Sequence, residues 1–206
     1  MSALDRPYVF TPADPGAAGP PLLLLHGTGG NEHDLLPVRD LLSPGAAVLS
    51  PRGQVLEAGM PRWFRRLSEG VFDEADLSRR ADELAAFVTA ASAEHGLPVR
   101  SLVAVGFSNG SNIASALMLR HPGLLRGALL VAAMLPYAEP PAADLTGLDV
   151  LISNGERDPM IPRAMTVELE RQLSERGARV VDLPHTGGHQ LDRRVLAQAA
   201  EALAGF

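Results

Sequence analysis

The sequence predicts an α/β fold, with one mostly parallel central sheet and helices on both faces. Short apolar runs alternate with segments of helical spacing along most of the chain, which is typical of strand–helix–strand units. In addition, 206 residues suffice for one substantial core but rarely for two ordinary domains. We therefore expect a single domain over residues 1–206, without a large cap domain.

The predicted elements follow from apolar periodicity and from the Gly, Pro and polar residues that bound it. Strands are predicted at residues 21–25, 46–49, 102–105, 127–132, 150–153 and 179–183. Helices are predicted at residues 76–95, 109–120, 163–176 and 192–203. Residues 1–20, rich in Pro, Gly and Ala, are expected to be an irregular lead-in. Residues 52–75 are expected to be a second irregular segment.

A Gly-x-Ser-x-Gly motif stands between the strand at 102–105 and the helix that follows it, with Ser108 at its centre. A serine in a strained strand-to-helix turn brings the residues two before and two after it against neighbouring backbone, and Gly106 and Gly110 leave room there. The turn raises the hydroxyl above the sheet edge, beside the first free N–H groups of the helix, which favour a developing negative charge. The pattern predicts Ser108 as a catalytic nucleophile.

A serine nucleophile requires a histidine base and an acid, in the chain order Ser, Asp or Glu, His. Only His185 and His189 satisfy that order, because His121 reads as the cap of the helix at 109–120 and the others precede Ser108. His189 is preferred as the base, since two glycines before it let the loop lift its side chain, and His185 is the alternative. Zinc binding by this pair lacks further ligands.

The acid is expected in the loop after the strand at 150–153, where Asp158 is the natural candidate. An Asp-Pro turn or a helix cap is the structural alternative for this residue. Glu156 and Asp182 are the other candidate acids.

Two backbone N–H groups are expected to form an oxyanion hole. Asn109, directly after the serine, supplies one. The Gly-rich turn after His26 supplies the other, with Thr28 preferred and Gly29 next. A phosphate-binding loop is disfavoured, because neither nucleotide-binding glycine pattern can be completed here.

Composition excludes several other chemistries. All 18 basic residues are arginine and cysteine is absent, which removes Schiff-base and Ser-Lys catalysis, a thiolate nucleophile and Cys-based metal sites. A net charge of -6 without a basic cluster argues against nucleic acid as a partner. No apolar run resembles a signal peptide or approaches the ~20 residues of a membrane span, so we expect a cytoplasmic protein. We expect no metal or organic cofactor, and list a homodimer as a candidate assembly.

Taken together, these residues resemble the α/β-hydrolases of the phospholipase/carboxylesterase (dienelactone-hydrolase-like) group, in particular a bacterial carboxylesterase branch. The resemblance covers nearly the whole chain and implies Ser108, Asp158 and His189 as the catalytic triad, with the N–H groups of Thr28 and Asn109 as the oxyanion hole. It also implies esters or thioesters as substrates. The chain differs from the acyl-protein thioesterase branch, in which Gln and paired glycines usually follow the serine. The matching segments are residues 26–34, 65–73, 106–110, 158–162 and 188–190.

Substrate contacts are expected from Gly29 and from the segment at 52–75, whose aromatic residues are Trp63, Phe64 and Phe72. These rings either line an acyl or aryl pocket or serve as buried anchors of a long loop. Nearby arginines at 62, 65 and 66 either attract an anionic substrate or are solvated surface charge. The expected function is a serine carboxylesterase for small-molecule esters with small to medium acyl or aryl groups. The alternatives are a thioesterase or lysophospholipase of the same fold, or a non-catalytic ligand-binding protein.

Overall fold

The fold is known from a computed structural model, which describes residues 3–205. Its strands are β1 (Tyr8–Thr11), β2 (Leu22–Leu25), β3 (Val48–Pro51), β4 (Val55–Glu57), β5 (Met60–Arg62), β6 (Arg66–Ser68), β7 (Val71–Phe72), β8 (Val103–Phe107), β9 (Gly127–Val131), β10 (Asp149–Ser153) and β11 (Arg179–Asp182). Its α-helices are α1 (Arg39–Leu42), α2 (Glu74–Glu94), α3 (Asn109–Arg120), α4 (Arg163–Ser174) and α5 (Arg193–Leu203). Short 3-10 turns lie at Leu36–Val38 and Val99–Ser101.

Seven strands form the central sheet in the order β1-β3-β2-β8-β9-β10-β11. All neighbouring pairs are parallel except β1 with β3, which is antiparallel. The four leucines of β2 are fully buried, as expected of a central strand covered on both faces. The predicted mostly parallel sheet is confirmed.

Helices cover both faces of this sheet. Leu23 and Leu25 of β2 point into a core shared with α2, α3 and α4, whereas Leu22 and Leu24 point into a core shared with α1 and α5. Alternate residues of one strand thus enter opposite cores, as the pleat requires. The predicted arrangement of helices on both faces is also confirmed.

The expectation of an irregular lead-in over residues 1–20 is wrong for Tyr8–Thr11, which forms β1. Each of its four residues is aromatic or β-branched, which suits a half-buried edge strand. Pairing with β3 holds the strand, and the Phe10 ring stacks on His95 with the ring centroids 3.8 Å apart. The pairing depends on a strand that is distant in the sequence, and the surrounding Pro, Gly and Ala residues predict irregular structure, so the strand could not be predicted from the local sequence.

The expectation of an irregular segment over residues 52–75 is wrong in part, because this segment contains two hairpins, β4–β5 and β6–β7. Ala58 and Gly59 join the first hairpin with positive φ angles of 48° and 80°. Two residues with positive φ are typical of the tight hairpin turn, but alanine seldom adopts that conformation, so the Ala-Gly pair did not predict this turn. Helix α2 begins at Glu74, two residues before its predicted start at Asp76, with the Asp73 side chain accepting the Asp76 N–H at 3.0 Å.

Among residues 3–205, no helix combines the length and apolar composition that crossing a membrane requires. The predicted compartment, the candidate homodimer and the extent of the domain stay predictions.

Candidate active site

Ser108 lies between the end of β8 and the start of α3, with backbone angles of φ 53° and ψ -116°. Non-glycine residues rarely adopt such a conformation, which stores strain. Its N–H donates to the Val131 carbonyl at 2.8 Å, which fixes the turn to the end of β9.

The two glycines of the motif, Gly106 and Gly110, are required because backbone atoms lie close to them. A Cβ on Gly106 would lie 2.6 Å from the Ser111 Cα, and one on Gly110 would lie 1.9 Å from the Leu25 carbonyl oxygen. Both distances are shorter than carbon atoms tolerate, so the first turn of α3 can pack against β8 and β2 only without these side chains.

A continuous hydrogen-bonded chain joins Ser108, His189 and Asp158. His189 Nε2 lies 2.8 Å from Ser108 Oγ, and His189 Nδ1 lies 2.7 Å from Asp158 Oδ2. The Asp158 side chain is fully buried, and its other oxygen accepts the Met160 N–H at 2.9 Å. The carboxylate therefore places the imidazole proton on Nδ1 and leaves Nε2 free to accept the serine proton.

The other candidate base and acids lie elsewhere. His185 is buried, and its Nδ1 accepts the Gly187 N–H at 3.1 Å, within the turn that leads to His189. Asp182 pairs with Arg163 at 2.5 Å, and the Glu156 side chain is exposed. None of these three side chains has a contact with the Ser108 hydroxyl among the described residues.

The loops that carry Asp158 and His189 pack backbone to backbone. A Cβ on Gly155 would lie 2.4 Å from the Gly188 carbonyl oxygen. The Glu156 N–H donates to the His185 carbonyl at 2.8 Å, and the Arg157 N–H donates to the Gly187 carbonyl at 3.0 Å. Asp158 and His189 thus come from one joined pair of loops.

The N–H groups of Thr28 and Asn109 have no protein acceptor within residues 3–205. By contrast, the Gly29 N–H donates to the Pro61 carbonyl at 2.9 Å, and the Gly30 N–H donates to the Gly27 carbonyl at 3.1 Å. Of the two candidates in this turn, Thr28 and Gly29, Thr28 is therefore the one with a free N–H donor, and the residue is exposed to solvent.

His26 precedes the turn at residues 27–30, called the Thr28 turn below, and its ring joins this turn to Gly53 through two hydrogen bonds. Its Nε2 accepts the Gly53 N–H at 3.0 Å, and its Nδ1 lies 2.7 Å from the Gly27 carbonyl oxygen. The imidazole therefore carries its proton on Nδ1. Burial lowers the pKa of His26, which favours this neutral form.

Trp63 and Phe64 are buried anchors of the segment at 52–75. Trp63 is 3% exposed; its N–H donates to Asn109 Oδ1 at 2.8 Å, and its Nε1–H donates to the His26 carbonyl at 2.8 Å. Phe64 is fully buried, and its ring meets the Phe72 ring edge-on at 5.0 Å. Of the three aromatic residues, only half-buried Phe72 leaves surface for a ligand. Long connections need apolar anchors, and this need explains the other two rings.

The arginines of the same segment are paired with acidic residues. Arg62 and Arg66 both contact Glu57 at 2.8 Å, and Arg65 contacts Asp73 at 2.8 Å. Their charges are compensated within the segment, which favours a structural role over attraction of an anionic substrate.

Sequence reasoning missed the buried asparagines that hold the loop after β9 beside the site. Asn112 Oδ1 accepts the Met134 N–H at 2.8 Å, and Asn154 Oδ1 accepts the Ala133 N–H at 2.8 Å. These asparagines could have been identified from the sequence as polar residues at positions that the pattern predicts to be buried, because buried polar side chains require hydrogen-bond partners.

A cavity of about 280 Å³ lies beside the Thr28 turn. Phe107, directly before the serine, lines this cavity, and its ring lies 5.4 Å from the His189 ring. The remaining lining residues are Gly27, Thr28, Gly29, Gly30, Asp34 and Leu35.

A parallel sheet covered by helices on both faces, with a serine raised on a strained turn at the end of a central strand, is the architecture of the α/β-hydrolases. The chain belongs to the phospholipase/carboxylesterase family, whose family model matches residues 6–205. The resemblance inferred from the motifs is thereby confirmed.

Relatives cover almost the whole chain. The protein MhqD of Bacillus subtilis (strain 168) is 46% identical over 180 residues, or 87% of this chain and 90% of MhqD. The crystal structure of a Bacillus cereus carboxylesterase is 42% identical with a TM-score of 0.93, covering 98% of this chain and 94% of that one. A carboxylesterase from Mesorhizobium loti is 32% identical with a TM-score of 0.91, covering 100% and 97%. The chain is therefore a hydrolase of this family.

Proposed function

We propose that this hydrolase cleaves carboxylic esters of small to medium acyl or aryl groups through a covalent acyl-serine intermediate. The observation that carries the proposal is the hydrogen-bonded chain from Ser108 through His189 to Asp158, at 2.8 and 2.7 Å. Two similar proteins of solved structure are named carboxylesterases, which supports an ester as the substrate.

The reaction begins when Ser108 Oγ attacks the ester carbonyl and His189 Nε2 takes the hydroxyl proton. Asp158 stabilises the imidazolium that forms. The carbonyl oxygen becomes an oxyanion, which accepts hydrogen bonds from the free N–H groups of Thr28 and Asn109.

The tetrahedral intermediate collapses when the bond to the alcohol oxygen breaks, and His189 returns its proton to that oxygen. Water then attacks the acyl-serine, with His189 again as the base, and releases the carboxylic acid and the free serine.

The direct test is hydrolysis of a short p-nitrophenyl ester by Ser108→Ala. We expect kcat to fall by about a thousandfold or more, because the nucleophile is removed. Labelling by a fluorophosphonate probe should be lost as well. Ser174→Ala, at the exposed end of α4, is the matched control and should keep both activities. Full turnover by Ser108→Ala would end the proposed mechanism.

The same assay separates the alternatives. Comparing kcat/KM among matched esters, thioesters and lysophospholipids identifies a thioesterase or a lysophospholipase by its preferred leaving group. A wild-type chain that neither hydrolyses the panel nor labels with fluorophosphonate would be a non-catalytic ligand-binding protein.

A further inference from the structure

The cavity beside the Thr28 turn contains a single charged side chain among its lining residues, that of Asp34. Its Oδ2 accepts the Asn31 N–H at 3.2 Å and would lie 2.5 Å from a Cβ on Gly30. The carboxylate therefore packs directly on the backbone of the turn that carries Thr28. It is also exposed to solvent, so a ligand can reach it.

No cation pairs with Asp34 among the described residues. The neighbouring acid, Glu32, takes Arg52 in a bidentate pair at 2.5 and 2.7 Å. Burial lowers the pKa of His26, and the negative charge of Asp34, which packs on the same turn, partly opposes this lowering. The cavity therefore has a negative charge that the protein leaves uncompensated.

Phe107 connects this cavity to the base. Its ring lines the cavity and lies 5.4 Å from the His189 ring. In ester cleavage the base returns its proton to the leaving alcohol, so the alcohol departs on the side of His189. At about 280 Å³, the cavity lies just below the usual range of ligand pockets, about 300–1,000 Å³, and suits a small group.

We propose that this cavity is the alcohol-side subsite, and that Asp34 makes it select small alcohol groups that carry a positive charge or hydrogen-bond donors over anionic ones. The inference rests on the proposed ester hydrolysis and adds the chemical class of the leaving group. An alcohol with a phosphate, sulfonate or carboxylate group meets repulsion from Asp34 that is not offset by a neighbouring cation.

The test compares two esters of the same acid that differ in one atom. Choline and 3,3-dimethylbutanol have nearly the same shape, but only the first has a positive charge. We expect wild-type kcat/KM to be about three- to fivefold higher for the choline ester, the factor for one charge a few ångströms away in water. A 2-sulfoethyl ester of the same acid should be the poorest of the three.

Asp34→Asn removes the charge but keeps an oxygen that can accept the Asn31 N–H. We expect this variant to bring the choline and dimethylbutyl values to near equality. Glu201→Gln, an exposed substitution on α5 that changes net charge equally, should keep the wild-type ratio. If Asp34→Asn does not fold, a salt titration of wild type replaces it, because screening should lower a ratio that comes from charge.

The two proposals fail in different ways. A wild-type choline preference that is absent, or that survives both Asp34→Asn and high salt, overturns the subsite while Ser108-dependent hydrolysis still stands. Hydrolysis that survives Ser108→Ala, or no hydrolysis of any ester, overturns the proposed function and the subsite with it.

Discussion

Gly110 shows how one missing side chain permits the serine turn. The first turn of α3 lies so close to β2 that a Cβ at this position would overlap the Leu25 carbonyl oxygen. The obstacle is backbone, which cannot rotate away as a flexible side chain would. The strained angles of Ser108 therefore depend on contacts that only glycine permits.

Gly110→Ala is expected to lower the free energy of unfolding by about 3 kcal/mol or to prevent folding, the upper range for overpacked cores. Urea unfolding followed by circular dichroism measures the loss. Gly205→Ala is the matched control, because a Cβ there would lie 3.4 Å from its nearest neighbour, and its stability should match wild type. Equal stability of the two variants would contradict the steric argument.

His185 is a positioning residue for the turn that precedes His189. Because its Nδ1 accepts the Gly187 N–H, this nitrogen is unprotonated. Its main-chain carbonyl accepts the Glu156 N–H, so the same residue joins the turn before His189 to the loop that carries Asp158. The imidazole therefore shapes the backbone that aims His189 at the serine.

His185→Ala is expected to lower kcat about tenfold with little change in KM, because a small misplacement of the base costs rate rather than binding. His185→Asn places an amide oxygen near the position of Nδ1 and should recover most of the rate. Steady-state kinetics on one soluble ester measures both variants. Equal losses in the two would show that the Gly187 hydrogen bond does not matter.

At the scale of elements, the segment from Gly53 to Trp63 is bound to the serine turn and the Thr28 turn at several points. The Gly53 N–H donates to the His26 ring, and the Gly29 N–H donates to the Pro61 carbonyl. Trp63 adds bonds to Asn109 and to the His26 carbonyl. Hairpin β4–β5 is therefore part of the support for the site.

Trp63→Phe keeps a buried ring but removes the Nε1–H bond to His26. We expect the free energy of unfolding to fall by about 1–2 kcal/mol, because a buried carbonyl loses its donor. We also expect kcat to fall, because the bond holds the residue before the Thr28 turn. Urea unfolding and ester kinetics measure the two effects.

The matched control is Tyr137→Phe, which also removes one hydrogen bond from a buried ring, the 3.2 Å contact with Ser78. It should lose stability but keep kcat. A Trp63→Phe variant with unchanged kcat would restrict the role of this bond to folding.

At the scale of the whole molecule, the parallel sheet and the site candidates could be predicted because both depend on chain order. Buried parallel strands read as continuous apolar runs, and their carboxyl ends meet at one edge. Ser108 and Asp158 follow two such runs and His189 follows the edge strand β11, and the structure brings the three side chains within hydrogen-bond distance.

What could not be predicted depends on contacts between distant segments. Strand β1 exists because β3 offers an edge, and the Ala58–Gly59 turn follows from the hairpin rather than from residue preference. The sequence identified Trp63 as notable, but its role depends on partners 37 and 46 positions away. The spacing of apolar residues along the chain does not predict hydrogen bonds between residues so far apart in the sequence.

Global stability is expected to depend on the charge state of His26. Burial lowers its pKa in the folded chain below the value of about 6.5 typical of an unfolded chain, so the unfolded chain binds more protons below that pH. The free energy of unfolding should therefore fall as the pH decreases through about 6.5.

Urea unfolding at about pH 7.5 and about pH 5.5 measures this change, with His26→Gln as the comparison. Glutamine can still accept the Gly53 N–H but does not titrate, and the other histidines are the same in both chains. The variant should lose less stability on acidification than wild type. Equal losses would remove His26 as a source of the pH dependence.

The ties between hairpin β4–β5 and the two turns have a consequence for how substrates enter. Displacing this hairpin would break the Gly29 hydrogen bond to Pro61 and the Trp63 hydrogen bond to the Asn109 side chain, so we expect esters to enter and products to leave while it stays in place. We therefore expect turnover without an opening step triggered by an oil–water interface. Rates should follow the concentration of dissolved ester smoothly through the onset of micelle formation, without the sudden rise of interfacial activation.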